Sequence, residues 1–293
     1  MKDKIANDIK VFTEKLVGMR YAKSTIRQYR SIAYNFLTKV DDPRRLPTAG
    51  IQEYINRYDG SGVTMGQIRG TLENLYRWVY DQPRKFNTIP YPKKEHKLPV
   101  WLTIQETYAL ISCIKNTKQR ALVQLSYSCA LRVSEAVSVK VTDISDGFLT
   151  VRKGKGGKDR QIPIPDETLL LLRSHFKKNR PVKYLFEGQD KNSPYSTRSM
   201  QAVVRRAAHR VGIKKKVTVH TLRHSRATHW YNNSMPLLTI KELLGHSHIS
   251  TTEIYTHIGQ DDFKNMVFLV DQRIKQKAET LENKKDNHLF IGN

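Results

Sequence analysis

The chain has 293 residues, enough for two domains with separate cores. Its apolar share, 39%, is that of a globular protein; no apolar run approaches the roughly 18 residues of a membrane span, and the opening MKDKIANDIK has no apolar stretch for a signal peptide. Fifty-one Lys and Arg against 27 Asp and Glu leave a net charge of +24 spread along the whole chain, which suits a polyanionic partner such as nucleic acid, the alternative being a plain basic surface.

The first 90 or so residues read as four short amphipathic helices, a small bundle. The first covers 4–17. Ser24 is the expected cap of the second, with Ile26, Tyr29, Ile32, Ala33, Phe36 and Leu37 at helical spacing. Thr48 is the expected cap of a short third helix carrying Ile51, Tyr54 and Ile55, and the fourth carries Ile68, Leu72, Leu75, Tyr76 and Val79. Arg20, Lys23, Arg27 and Arg30 decorate one corner, as phosphate contacts or as a solvated face. Residues 88–99, NTIPYPKKEHKL, break the pattern and read as a linker, whose Lys93, Lys94 and Lys97 suit a strap against DNA.

A capping box, Thr103 with Glu106, opens the second domain. Helices are expected through about residue 138, then strands at 148–152 and 160–164 joined as a hairpin through Lys155-Gly156-Gly157-Lys158. Helices return near 167–178, 196–211, 221–232, 236–244 and 250–257, and the segment from about 273 is charged and weakly patterned. Cys113 and Cys129 form no C-x-x-C pair and read as buried thiols in a reducing cytosol, so a cytoplasmic location is expected.

Four segments carry residues suited to chemistry: Ala130-Leu131-Arg132-Val133-Ser134-Glu135; Lys153-Gly154-Lys155-Gly156-Gly157-Lys158; His220-Thr221-Leu222-Arg223-His224; and Leu244-Gly245-His246-Ser247-His248 running on to Tyr255. In order and spacing they resemble the catalytic domain of tyrosine recombinases, the phage integrase and Xer family, over residues 100–260 by motif and over the first 90 by architecture alone. The resemblance implies a mainly α protein with a small β-sheet. A helical, SAM-like core-binding domain would span 1–87, a linker 88–99, a catalytic domain of the DNA breaking-rejoining fold 100–272, and a charged tail 273–293.

Breaking a phosphodiester spreads negative charge over two non-bridging oxygens, and guanidinium forks are suited to it, being planar and always charged. Arg132 and Arg223 match the family's two clamp arginines. Tyr255 matches the nucleophile, although one tyrosine among 14 is by default a core or surface group. By resemblance it forms a 3′-phosphotyrosyl link that stores the bond energy, so no ATP and no cofactor is implied. His220 and His246 match the pocket histidines, able to accept the phenol proton or donate to phosphate. A zinc site from these histidines is the competing idea, weakened by Arg223 between His220 and His224 and by the lack of an adjoining Cys, Asp or Glu. No metal is expected, and His224, His229 and His248 read as structural or surface groups.

Lys155 matches the family's hairpin lysine, the general acid for the departing 5′-oxygen, with Lys153 as the alternative; Lys153 and Lys158 otherwise read as phosphate grips. Glu135 is expected to orient a histidine or brace its helix rather than transfer protons. Arg226 stands where many members carry an aromatic residue, and reads as a changed pocket floor or a further phosphate contact.

The implied partners are double-stranded DNA with an inverted-repeat core site and further copies of the chain, four on two sites; accessory DNA-bending proteins are compatible with this, and a membrane is not expected. The apolar Met266-Val267-Phe268-Leu269-Val270 either packs on its own domain or docks on a neighbouring protomer. A type IB topoisomerase shares the chemistry, and a DNA-binding regulator with a relic pocket is the non-enzymatic alternative.

Overall fold

The structure is a computed structural model that describes residues 2–58, 62–93, 100–152, 159–246 and 252. The chain divides into two compact units, Met1–Lys97 and Leu98–Asn293. Among the described residues no helix is long and apolar enough to cross a membrane.

In the first unit the four expected helices are α1 (Lys2–Gly18), α2 (Lys23–Leu37), α3 (Thr48–Asn56) and α4 (Gly62–Val79), followed by a 3-10 turn at Pro83–Phe86. Their apolar stripes meet in one core around Phe12, Phe36, Ile51, Leu72 and Tyr76. Two caps differ from expectation. Helix α2 begins one residue before Ser24, behind Ala22, and α3 begins at Thr48 behind Pro47; neither has a side-chain cap. Pro47, at φ −70°, already holds the dihedral that leads into a helix, so Thr48 becomes the first helical residue.

Arg69 on α4 is a buried charge of this unit. It donates to Glu73 Oε2 at 2.7 Å, to Ile89 O at 2.9 Å and to Phe86 O at 3.1 Å, and lies 3.8 Å from the centroid of the Tyr91 ring. One guanidinium thus fastens the chain leaving the bundle back onto α4.

The second unit is α5 (Ile104–Ser112), α6 (Thr117–Ser128), α7 (Val133–Ser138), β1 (Ile144–Ser145), β2 (Phe148–Val151), β3 (Arg160–Pro163), α8 (Asp166–Asn179), α9 (Thr197–Arg210), α10 (Val219–Asn232) and α11 (Leu237–Leu244). The fold is mainly α with a small sheet, as expected. The Thr103–Glu106 capping box is made in both directions, at 3.1 and 2.8 Å. The sheet is antiparallel in the order β1-β2-β3, with Leu149 opposite Ile162 and Val151 opposite Arg160. Strand β1 was not foreseen, although Asp146-Gly147, with φ of 49° and 81°, is the two-residue turn that a tight hairpin requires. Cys129 is buried, and burial pushes its thiol up to about 12; Cys113, expected to be buried, is only half-buried at the end of α5, where it packs on the edge of the core.

Replacing Arg69 with Ala takes the side-chain donor from two buried carbonyls and the shortest ion pair from Glu73, which keeps Arg77 and the Tyr91 hydroxyl. We expect Arg69→Ala to destabilise the first unit by about 3 kcal/mol, read by urea unfolding followed through Trp78 fluorescence. A loss under about 1 kcal/mol would show that solvent replaces the lost bonds.

Candidate active site

Helix α6 ends in a tight turn. Ala130 takes a left-handed φ of 48°, and Leu131 N–H donates back to Ser126 O at 2.9 Å. Arg132 then stands immediately before α7, whose third residue is Glu135. The Glu135 carboxylate reaches back to accept from the Arg132 backbone N–H at 2.8 Å, and so braces the start of the helix.

The same carboxylate gathers arginines. Its Oε1 accepts from Arg132 Nη1 at 2.8 Å and Arg160 Nη1 at 3.2 Å; its Oε2 accepts from Arg160 Nη2 at 2.8 Å, with Arg223 Nη1 at 3.8 Å. Together with the backbone bond, these contacts use all of its acceptor capacity. Burial alone would raise the Glu135 carboxyl. The bonds and charge of Arg160 and then the bonds from Arg132 overturn that and hold it at about 2.

The C-terminus of α11 supplies the second anchor. A helix ends with carbonyls that have no partner within it. Gly245, at φ 62°, turns the chain there. Leu243 O accepts from Arg160 Nε at 2.8 Å, Leu244 O from Arg223 Nη2 at 2.7 Å, and Gly245 O from Arg132 Nη2 at 3.2 Å. Three consecutive carbonyls hold three arginines, at the negative end of the helix dipole. Arg223 also donates to Ala130 O at 2.6 Å, which gives the left-handed turn its purpose. The clamp is graded in access: the Arg132 side chain is 26% exposed and that of Arg223 is 2% exposed.

His246 follows this turn directly. Its Nε2 lies 3.2 Å from Arg223 Nη2, and its Nδ1 lies 3.0 Å from the Oγ1 of buried Thr252. A guanidinium can only donate, so Nε2 accepts and the ring proton sits on Nδ1, directed at Thr252. Burial, and then Arg223, Arg132 and Arg160, lower the His246 pKa to about 4, in keeping with a neutral ring. His220 is exposed on the first turn of α10, where the protein packed about its ring and then the Arg223 and Arg132 charges lower its pKa. His224 meets His220 edge-on, 4.2 Å between ring centroids. Among the described residues no group of three His, Cys, Asp or Glu is placed to hold a metal.

Of the expected site, Arg132, Glu135, His220, Arg223 and His246 converge. Glu135 takes its bonds from arginines and backbone rather than orienting a histidine. Tyr255, Lys153, Lys155, Lys158, Lys94, Lys97, His248, the apolar run and the tail lie outside the described residues. His229 is buried and structural, accepting at Nδ1 from the Tyr127 hydroxyl at 2.7 Å and donating from Nε2 to Leu102 O at 2.9 Å. Arg226 packs 5.3 and 5.1 Å from the ring centroids of Tyr127 and Trp230 and lines a cleft of about 540 Å³ with His229 and Arg120. Lys23, Arg27 and Arg30 are exposed on α2, and Lys93 is exposed beyond it.

Sequence reasoning missed Arg160 and the partner role of Thr252. The signal for Arg160 was its phase: it alternates with Ile162 along β3 and faces the same side, opposite Val151.

The depressed Glu135 pKa sets an acid limb. A carboxyl held below its unfolded value stabilises the fold above that value and loses the contribution as pH falls through the folded one. We expect the stability difference between the native chain and Glu135→Gln to be constant above pH 4.5 and to shrink toward pH 2. Thermal unfolding across that range checks it; a difference independent of pH would sink the assignment.

A model of the phage integrase family matches residues 100–261. A tyrosine recombinase of Thermosipho africanus is 30% identical over 277 residues, which cover 87% of this chain and 96% of that protein. The tyrosine recombinase XerA of Pyrococcus furiosus is 34% identical over 272 residues, 89% and 90% of the two chains. A crystal structure of XerA recombinase superposes with a TM-score of 0.54 at 27% identity, covering 90% of this chain and 98% of that one. A lambda integrase dimer bound to a COC′ core site gives 0.74 at 19% identity over 87% and 96%, a likeness of fold. With the arginine clamp and histidines already placed by geometry, these matches mean that the chain belongs to the phage integrase family and is a tyrosine site-specific recombinase.

Proposed function

We propose that the chain cleaves and rejoins double-stranded DNA at an inverted-repeat core site through a 3′-phosphotyrosyl link to Tyr255, without metal or ATP. The observation that carries this reading is the cluster of fixed arginines beside His246 and His220, whose pKa values burial and those arginines lower. Arg132, the more open of the clamp pair, faces the non-bridging oxygens, and Arg223 backs it. Such preorganised donors contribute several kcal/mol, on the order of 3, to a transition state that gathers charge.

Tyr255 Oη attacks phosphorus as the P–O5′ bond breaks. The phenol has an ordinary pKa of about 10 and must lose its proton during attack. His220 is the available acceptor, because the His246 Nε2 lone pair already faces Arg223. His246 fixes the arginine, and its Nδ1–H bond ties it to Thr252, three residues before Tyr255. Lys155 gives a proton to the departing 5′-oxygen. The reverse sequence, with a 5′-hydroxyl as nucleophile, reseals the strand. The chemistry ends with as many phosphate ester bonds as it began with, so it needs no external energy source.

Strand exchange then takes two sites and four protomers. The lambda integrase neighbours include a dimer on a core site and a tetramer on a Holliday junction, which supports DNA and further copies as partners. The exposed Lys23, Arg27 and Arg30 on α2, with Lys93, would meet phosphates from the first unit.

Two outcomes follow. Incubation with genomic DNA in excess EDTA should give a covalent protein–DNA complex on a denaturing gel, with Tyr255→Phe giving none; junction sequencing then identifies the site. A complex that needs added zinc or magnesium would overturn the metal-free mechanism. On that site, Lys155→Ala should slow cleavage by about 10²–10⁴-fold, and a 5′-bridging phosphorothiolate, whose leaving group needs no proton, should restore most of the rate. Rescue of Lys153→Ala instead would move the general acid to Lys153.

A further inference from the structure

We infer that Arg160, on β3 and outside the four motifs, is the positioning residue that sets the geometry of the Arg132–Arg223 clamp. Its side chain is 10% exposed, and its Nε, Nη1 and Nη2 all donate within the protein, to Leu243 O at 2.8 Å and to the two Glu135 oxygens at 3.2 and 2.8 Å. Both anchors are shared. Glu135 also holds Arg132, and the two carbonyls after Leu243 hold Arg223 and Arg132. A guanidinium is the one side chain that can bridge a carboxylate with a fork while its third nitrogen reaches a carbonyl.

The fit against the turn is close. A methyl group at Gly245 would lie 3.2 Å from Arg160 Nη1 and 3.4 Å from its Cζ. Arg160 therefore packs flush on the turn that presents His246, and it joins β3, α7 and the end of α11 at one point. Without it, Glu135 loses two of its four bonds, and the α11 terminus loses one of its three arginine contacts. Arg132 and Arg223 then keep partners but lose the fixed spacing between them. A misplacement of about 1 Å costs on the order of 10²-fold in rate.

This inference rests on the cleavage reading above, and its test separates the two. Arg160→Gln and Arg160→Lys are assayed on suicide duplexes carrying the site recovered by junction sequencing. One duplex has an ordinary scissile phosphate. The other has a methylphosphonate, in which a methyl group replaces one non-bridging oxygen and removes the charge the clamp must meet. We expect Arg160→Gln to lose about 10²-fold on the phosphate and less than about 10-fold on the methylphosphonate, with half-site binding unchanged. Arg160→Lys, able to make one anchor but not the fork, should fall between and show the same recovery. Equal losses on both duplexes would show a general structural role and overturn the inference, as would full activity of either variant on the phosphate. If Arg160→Gln does not fold, the Arg160→Lys ratio decides alone. A native chain that forms no covalent complex on either duplex would overturn the cleavage reading and this inference with it.

Discussion

The site depends on one carboxylate. Glu135 is surrounded by three guanidinium groups that would otherwise repel one another in a partly dry setting. Its charge offsets part of theirs, its four bonds hold it in place, and the arginine bonds and charges keep its carboxyl well below the usual carboxylate range. A buried ion cluster of this kind adds little net stability, because desolvation opposes the attraction. What it supplies is placement: donors whose positions are set before any ligand arrives.

The backbone does the other half of the holding. Helix ends leave carbonyls without partners, and in most proteins solvent or capping groups take them. Here the end of α11 gives Leu243 O, Leu244 O and Gly245 O to arginines, and the left-handed turn after α6 gives Ala130 O to Arg223. Every one of these acceptors lies in a segment that the fold would have to satisfy anyway. The same economy sets the histidine tautomer: an obligate donor on one side of His246 leaves Nδ1 to carry the proton, and Thr252 receives it.

The architecture was legible where periodicity was strong. The helices of both units, the Thr103–Glu106 box and the β2–β3 hairpin follow from spacing, since burial of one face is what fixes them. The start of α2 was displaced by two residues and that of α3 by one, because backbone dihedrals at Ala22 and Pro47, rather than side-chain oxygens, begin those helices. Strand β1 is two residues long, too short for alternation to show, and its only mark was Asp146-Gly147. The clamp residues stood out because their motifs bring chemistry-bearing side chains together. Arg160 did not, because its phase along a four-residue strand tells which face it shares with Ile162 but not which partners it meets there. Its meaning comes from Glu135, 25 residues away, and from a helix end 83 residues away.

The arrangement at α11 bears on which changes this enzyme can tolerate over evolutionary time. Successive residues of a helix are rotated by about 100° and advance by about 1.5 Å. Inserting or deleting one residue within Leu237–Leu244 would therefore swing all three carbonyls away from their arginines together, and carry Gly245 and His246 with them. Substitution on the outer face, as at Leu238, which is 61% exposed, disturbs none of these bonds. Divergent members of such a lineage that keep this clamp would vary on the exposed face of the segment while keeping its length and its buried Ile240 and Leu244 positions apolar.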